Sequence, residues 1–134
     1  MKRYLAVLLS GLLFVSGCGE RGVSDTADEI YDLTKLSSIL AYAEITNINK
    51  NPEKYLGRKI KMSGIYFYEP VDEQVYHYLV AEDACCYEVV EFMLAADAAY
   101  PEIYEAFTIS GVYSSYDELD NTYYYLAADT LTVH

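Results

Sequence analysis

Two adjacent cysteines, Cys85 and Cys86, are the residues of this chain best suited to metal or redox chemistry, and His77 is the nearest imidazole. The usual zinc spacing, with two residues between the cysteines, is absent. Neighbours on a strand point to opposite faces, so both sulfurs reach one ion only where the backbone turns. A disulfide between adjacent cysteines is strained and easily reduced. Three interpretations stay open: structural thiols, a vicinal disulfide, and a metal or redox site that would bind zinc.

Tyrosine is the second unusual feature, with 16 tyrosines and no tryptophan. Strand alternation puts Tyr123 and Tyr125 on one side of the last predicted strand, and Tyr76 and Tyr78 flank His77 on an earlier one. Tyrosine rings stack on sugars and are common in protein interfaces. These four tyrosines are therefore the candidate ligand-binding surface. The alternative is that the rings pack the core of a domain poor in other aromatic residues.

The charge of the chain restricts its partners. There are 9 Lys and Arg against 21 Asp and Glu, for a net charge of -12, which argues against nucleic acid because phosphates need a basic surface. No Lys or Arg follows Lys61. A neutral glycan or a partner protein is the expected ligand. The acidic segment 117–121 has the carboxylates of a calcium site, but a solvated turn explains it better.

Catalytic patterns are missing from the sequence. His77 and His134 are the only histidines, and the chain has no Gly-x-Ser-x-Gly, His-Glu-x-x-His or glycine-rich phosphate motif. We predict that the protein is not an enzyme and has no bound cofactor.

The N-terminus has the order of a bacterial lipoprotein signal. Lys2 and Arg3 precede an apolar run over residues 4–15, and Val15-Ser16-Gly17-Cys18 resembles a lipobox. The run is too short to span a membrane. The resemblance implies cleavage after residue 17, a diacylglycerol on Cys18 and stable anchoring by two acyl chains in the bilayer. We predict a signal peptide over 1–17, a flexible tether over 18–28 and a location on the extracytoplasmic face of the cell membrane. An ordinary secretory signal is the alternative.

Helical signals dominate the start of the domain, which we place over residues 29–134. Apolar residues at helical spacing predict one or two short helices over 29–47, with Ser37 and Ser38 as possible caps. Asn51, Pro52 and Gly57 are typical of a single helical turn that Asn51 caps.

A repeat marks the rest of the chain as β-structure. Gly64 and Gly111 lie in similar strands 47 residues apart, and each strand is followed by a polar turn and a second, tyrosine-rich strand. A strand over 88–94 and an Ala-rich segment over 95–105, which is a short helix or a loop, lie between these two hairpins. The order of three strands, a short helix and two strands is that of the OB-fold, a five-stranded Greek-key barrel. Gly64 and Gly111 fall where such strands must bend.

The residues that support a family resemblance lie in three segments: 51–64, Asp83-Ala84-Cys85-Cys86 and 123–126. They resemble OB-like lipoproteins of the Firmicutes. A looser similarity exists to OB-like subunits that accompany predicted permeases and carry Cys-Cys-x-x-Asp, where this chain has Cys85-Cys86-Tyr87-Glu88. The resemblance implies a fold and a location but no activity.

Overall fold

Five strands that follow one helix in the chain close into a barrel. The computed structural model describes residues 29–134; the predicted signal peptide, Cys18 and the tether lie outside them. The elements are β1 (Tyr31–Asp32), α1 (Ser38–Lys50), β2 (Lys59–Val71), β3 (Gln74–Glu82), β4 (Tyr87–Met93), β5 (Ala106–Glu118) and β6 (Asn121–Val133), with 3₁₀ turns at Leu33–Lys35 and Pro52–Lys54. None of the helices in this part of the chain is long and apolar enough to cross a membrane.

The strand order confirms the predicted five-stranded barrel. The sheet runs β1-β2-β3-β4-β6-β5, and pairing of β2 with β5 closes it. Within the barrel β4 and β6 are parallel and the other neighbours are antiparallel. The short β1 adds a parallel edge to β2. This is the connectivity expected for an OB-like Greek key.

Strand β2 belongs to both halves of the barrel, which explains its glycine. Its first half pairs with β5 as far as Ile65, and its second half pairs with β3 from Ile65 onward. Gly64 precedes this change of partner, and a Cβ there would lie 2.5 Å from the Val80 carbonyl oxygen. The strand can change partners here because glycine lets the β3 backbone approach closely.

The two hairpins end in equivalent two-residue turns, at residues 72–73 and 119–120. Asp72 and Leu119, again 47 residues apart, have φ values of 54° and 53°. The repeat in sequence is thus a repeat in backbone conformation. The acidic segment 117–121 forms the tip of the second hairpin, as its interpretation as a turn predicted.

The predicted helical segments are confirmed with one change in capping. Ser37 is the N-cap of α1, because its Oγ accepts a hydrogen bond from the Leu40 N–H. Asn51 does not cap the following turn with its side chain. Its Nδ2 donates to the carbonyl oxygen of Asn47 and so satisfies the last turn of α1.

The short helix predicted between the third and fourth barrel strands is wrong. Residues 94–105 form turns, because Tyr100 in the middle of the segment is held by the barrel. Its ring stacks on His77 with centroids 3.5 Å apart, and its hydroxyl accepts a hydrogen bond from the Leu94 N–H. Pro101 follows at once and lacks the N–H that a helix needs.

The core fills the barrel and the space beneath α1. Ile45 and Ile48 of the helix are buried with the inward side chains of the barrel strands, and Phe92 and Phe107 are the largest residues with no exposure. Tyr66 and Tyr113 are buried as well. Part of the tyrosine content therefore packs the core, as the alternative interpretation expected.

Candidate functional site

A cleft with a volume of about 880 Å³ lies between the tips of the two hairpins, and eleven residues line it. We call it the tyrosine cleft and define it by Tyr76, Tyr78, Glu91, Tyr116, Glu118 and Tyr123. Strand register positions them, since Tyr78 lies opposite Glu91 on β3 and β4, and Tyr116 lies opposite Tyr123 on β5 and β6. Side chains of directly opposed residues share one face of the sheet.

Four carboxylates line the cleft, those of Asp72, Glu73, Glu91 and Glu118, and tyrosine hydroxyls contact the last two. The Tyr116 hydroxyl donates to Glu91, at 3.1 and 3.0 Å from its two oxygens. The Tyr76 hydroxyl lies 3.0 Å from the Gln74 Oε1 and 3.3 Å from both oxygens of Glu118, so its single proton is shared between acceptors on the first and the second hairpin. The rings of Tyr116 and Tyr123 stack with centroids 5.5 Å apart. The cleft therefore has aromatic walls and two carboxylates, Glu91 and Glu118, that tyrosine hydroxyls contact.

The carboxylates of Glu91 and Glu118 repel each other across the cleft. Burial raises the pKa of Glu91 above the ordinary glutamate value, and the neighbouring Glu118 carboxylate raises it further against the hydrogen bond from Tyr116. Lys59 and Asp129 form the only ion pair among residues 29–134, and neither lines the cleft. A cation or a proton that entered the cleft would relieve this repulsion.

Protonation of Glu91 gives a prediction about stability. The folded chain binds a proton at Glu91 more tightly than the unfolded chain does. Protonated Glu91 therefore contributes to the free energy of unfolding below the ordinary glutamate pKa, and this contribution is lost as the pH rises through the raised pKa of the folded chain. We expect the stability of wild type relative to Glu91→Gln to increase as the pH falls from neutral. Urea unfolding of both proteins across that range measures the difference. A difference that stays flat or decreases on acidification would contradict the assignment.

A second depression, the apolar groove, lies beside the tyrosine cleft on the outer face of β2 to β4. It has a volume of about 550 Å³ and is lined mainly by Ile65, Phe67, Val80, Tyr87, Val89 and Tyr104. Tyr87 and Tyr104 are 70% and 71% exposed. Tyr78 lines both depressions, so that cleft and groove form one continuous surface.

The structure brings three of the four predicted binding tyrosines together. Tyr76, Tyr78 and Tyr123 line the cleft, whereas Tyr125 touches the edge of Tyr116 at a centroid distance of 5.6 Å and is not part of its wall. Tyr116, Glu91 and Glu118 are functional candidates that sequence reasoning missed. Tyr116 could have been found from the two-residue turn, which sets it opposite Tyr123.

The cysteine pair lies in an exposed turn between β3 and β4. The sulfurs of Cys85 and Cys86 are 3.0 Å apart, because the backbone turns here as a shared site requires. One oxygen of Asp83 accepts hydrogen bonds from both cysteine N–H groups, at 2.8 and 3.0 Å. Hydrogen bonding to Cys86 and the Asp83 carboxylate raise the pKa of the Cys85 thiol to about 11. The Cys85 thiol is thus protonated at neutral pH.

His77 does not join the cysteines. Its Nδ1 is hydrogen-bonded to the Tyr66 hydroxyl at 2.7 Å inside the barrel, and its ring is covered by Tyr100. Burial lowers the pKa of His77. The residue that shares the turn with the two thiols is Asp83, and the donor atoms of these three lie within 4.8 Å of one another.

No protein-family model matches the chain, and no curated protein matches it. The resemblance to lipoproteins stays a prediction.

Proposed function

We propose that this protein is a lipid-anchored binding module on the extracytoplasmic face of the cell membrane, and that its ligand is an extended, basic segment of a partner protein. Lys or Arg side chains of the partner would enter the tyrosine cleft. The observation that carries the proposal is the pair of carboxylates, Glu91 and Glu118, in contact with tyrosine hydroxyls in a cleft that no Lys or Arg lines. Two such acceptors between aromatic rings suit an ammonium or guanidinium group, which gains both charge pairing and contact with the ring faces.

The apolar groove supports a protein ligand over a neutral glycan. Ile65, Val80 and Val89 offer aliphatic surface continuous with the cleft through Tyr78. An extended peptide places alternate side chains in successive pockets, so it can fill a charged cleft and an apolar groove together. A sugar chain would use the rings and carboxylates but leave the aliphatic surface uncovered.

Selection from a random-peptide display library tests this proposal, with an array of neutral glycans probed in parallel. We expect the selected peptides to be enriched in Lys or Arg next to apolar residues. Glu91→Gln should weaken the best peptide by about tenfold, the effect of losing about 1.4 kcal/mol of binding free energy. Fluorescence anisotropy of the labelled peptide gives the Kd.

The matched control is Glu53→Gln, which removes the same charge at an exposed site in the 3₁₀ turn Pro52–Lys54. It should leave the Kd unchanged, which separates the cleft from the general negative charge of the chain. Glycan binding without peptide binding, or equal effects of Glu91→Gln and Glu53→Gln, would overturn the proposal.

A further inference from the structure

The turn at residues 83–86 gathers three metal-ligating side chains that the tyrosine cleft does not use. The two sulfurs and the Asp83 carboxylate lie within 4.8 Å of one another, and all three residues are exposed. Asp83 fixes the turn with one oxygen, which leaves its other oxygen as a donor. No other group of three such residues within reach of one ion occurs among residues 29–134.

We propose that Cys85, Cys86 and Asp83 bind a thiophilic divalent cation of the zinc type. Two thiolates and one carboxylate oxygen are ligands that zinc accepts, whereas calcium and magnesium take oxygen ligands and copper(I) prefers sulfur alone. The fourth position is left to water or to a donor from a bound partner, as in zinc sites that keep an open position.

The negative charge around the turn favours the binding of a divalent cation. Glu82 and Glu88 flank the turn in sequence, and neither takes part in the one ion pair found among residues 29–134. On binding, each thiol loses one proton to solvent and its sulfur forms a bond to the ion, so two protons are released for each ion bound. No oxidation is involved.

Cobalt and zinc titrations of the reduced full-length chain test the site. The chain carries Cys18→Ser, so that Cys85 and Cys86 are its only thiols. We expect one Co²⁺ per chain with thiolate-to-cobalt absorption, displacement of the Co²⁺ by Zn²⁺, and release of two protons by calorimetry in buffers of different ionisation enthalpy. Zinc should also protect both thiols from alkylation.

Variants separate the ligands from the fold. Cys85→Ser and Cys86→Ser should each weaken zinc binding by at least about 100-fold, and Asp83→Asn by about tenfold. Asparagine keeps the oxygen that accepts the two backbone hydrogen bonds, so circular dichroism should show an unchanged fold. Glu82→Gln, which changes a nearby carboxylate outside the cluster, should bind zinc as wild type does.

Three results would overturn the site. The first is no uptake of Co²⁺ or Zn²⁺ by the reduced chain. The second is wild-type zinc affinity in either serine variant. The third is formation of a Cys85–Cys86 disulfide in place of metal uptake, seen as a mass lower by two hydrogens and as loss of both alkylation sites.

Discussion

Replacing Gly111 with alanine is expected to destabilise the barrel more than the same replacement at Gly57 or Gly64. A Cβ at Gly111 would lie 2.1 Å from the Ala127 carbonyl oxygen and 2.6 Å from the Ala128 Cα. These are backbone atoms of β6, so no side-chain rotation can relieve the clash. The close approach arises at a bulge, where Ser110 pairs with Thr130 but Gly111 pairs with Ala128 and Asp129 is left over. We expect a loss of at least about 4 kcal/mol, close to the whole stability of a marginal domain.

Two other glycines form a graded control for this prediction. A Cβ at Gly57 would meet nothing within 4 Å, so Gly57→Ala carries only the cost of its φ of 80°, about 1–2 kcal/mol. At Gly64 the clash involves the Val80 oxygen and the more flexible Leu79 side chain, which places Gly64→Ala between the two. Urea unfolding of the three variants gives the order. The bulge argument fails if Gly111→Ala loses no more free energy of unfolding than Gly57→Ala.

The bulge also explains the position of the one ion pair that the described residues form, between Lys59 and Asp129. Asp129 is the extra residue of β6, and its carboxylate pairs with Lys59 at 3.0 Å and accepts a hydrogen bond from Ser110. The Lys59 ammonium lowers the pKa of Asp129, both by its hydrogen bond to the carboxylate and by its positive charge. Lys59 is thus paired at the seam between β2, β5 and β6, and no Lys or Arg lines the tyrosine cleft.

Local patterns predicted the barrel because strands and turns leave signals in neighbouring residues. Alternation around Leu79 and Leu126, both with no exposure, marks the buried face of each hairpin, and the glycines mark the bends. The loop over 94–105 was predicted as a short helix because Ala-rich composition favours a helix. The contact that decides its conformation, Tyr100 on His77, joins residues 23 positions apart and leaves no local signal.

The candidate site divides in the same way. Alternation found Tyr76, Tyr78 and Tyr123, since it fixes the side of a strand on which each ring lies. Glu91 was missed because its hydrogen bond from Tyr116 joins β4 to β5, which are not neighbours in the sheet. At the cysteine pair, sequence spacing argued against a shared ion, whereas the turn that Asp83 holds brings the two sulfurs together.

Replacing Phe92 with alanine is expected to empty the centre of the aromatic core. Phe92 has no exposure, and its ring centroid lies 5.3 Å from that of Phe107 and 5.7 Å from that of Tyr100. Truncation of a buried phenylalanine typically costs about 3–5 kcal/mol, from lost burial and from the cavity left behind. Phe67→Ala on the outer face, where the ring is 37% exposed, should cost about 1 kcal/mol. Urea unfolding of both variants measures these losses, and equal losses would contradict the assignment of Phe92 to the core.

His77 provides a second readout of the same change, because its ring lies 6.4 Å from that of Phe92. Burial lowers the His77 pKa in the intact barrel. This group therefore contributes stability that is present above the ordinary histidine pKa and is lost as the pH falls through the lowered one. Water admitted by the cavity in Phe92→Ala should raise the His77 pKa towards its ordinary value. The loss of stability at acidic pH that His77 causes should then become smaller. Phe67→Ala should change neither the His77 pKa nor this loss. NMR titration of the His77 ring protons measures the pKa, and a His77 pKa unchanged in a folded Phe92→Ala protein would show that Phe92 does not exclude water from the ring.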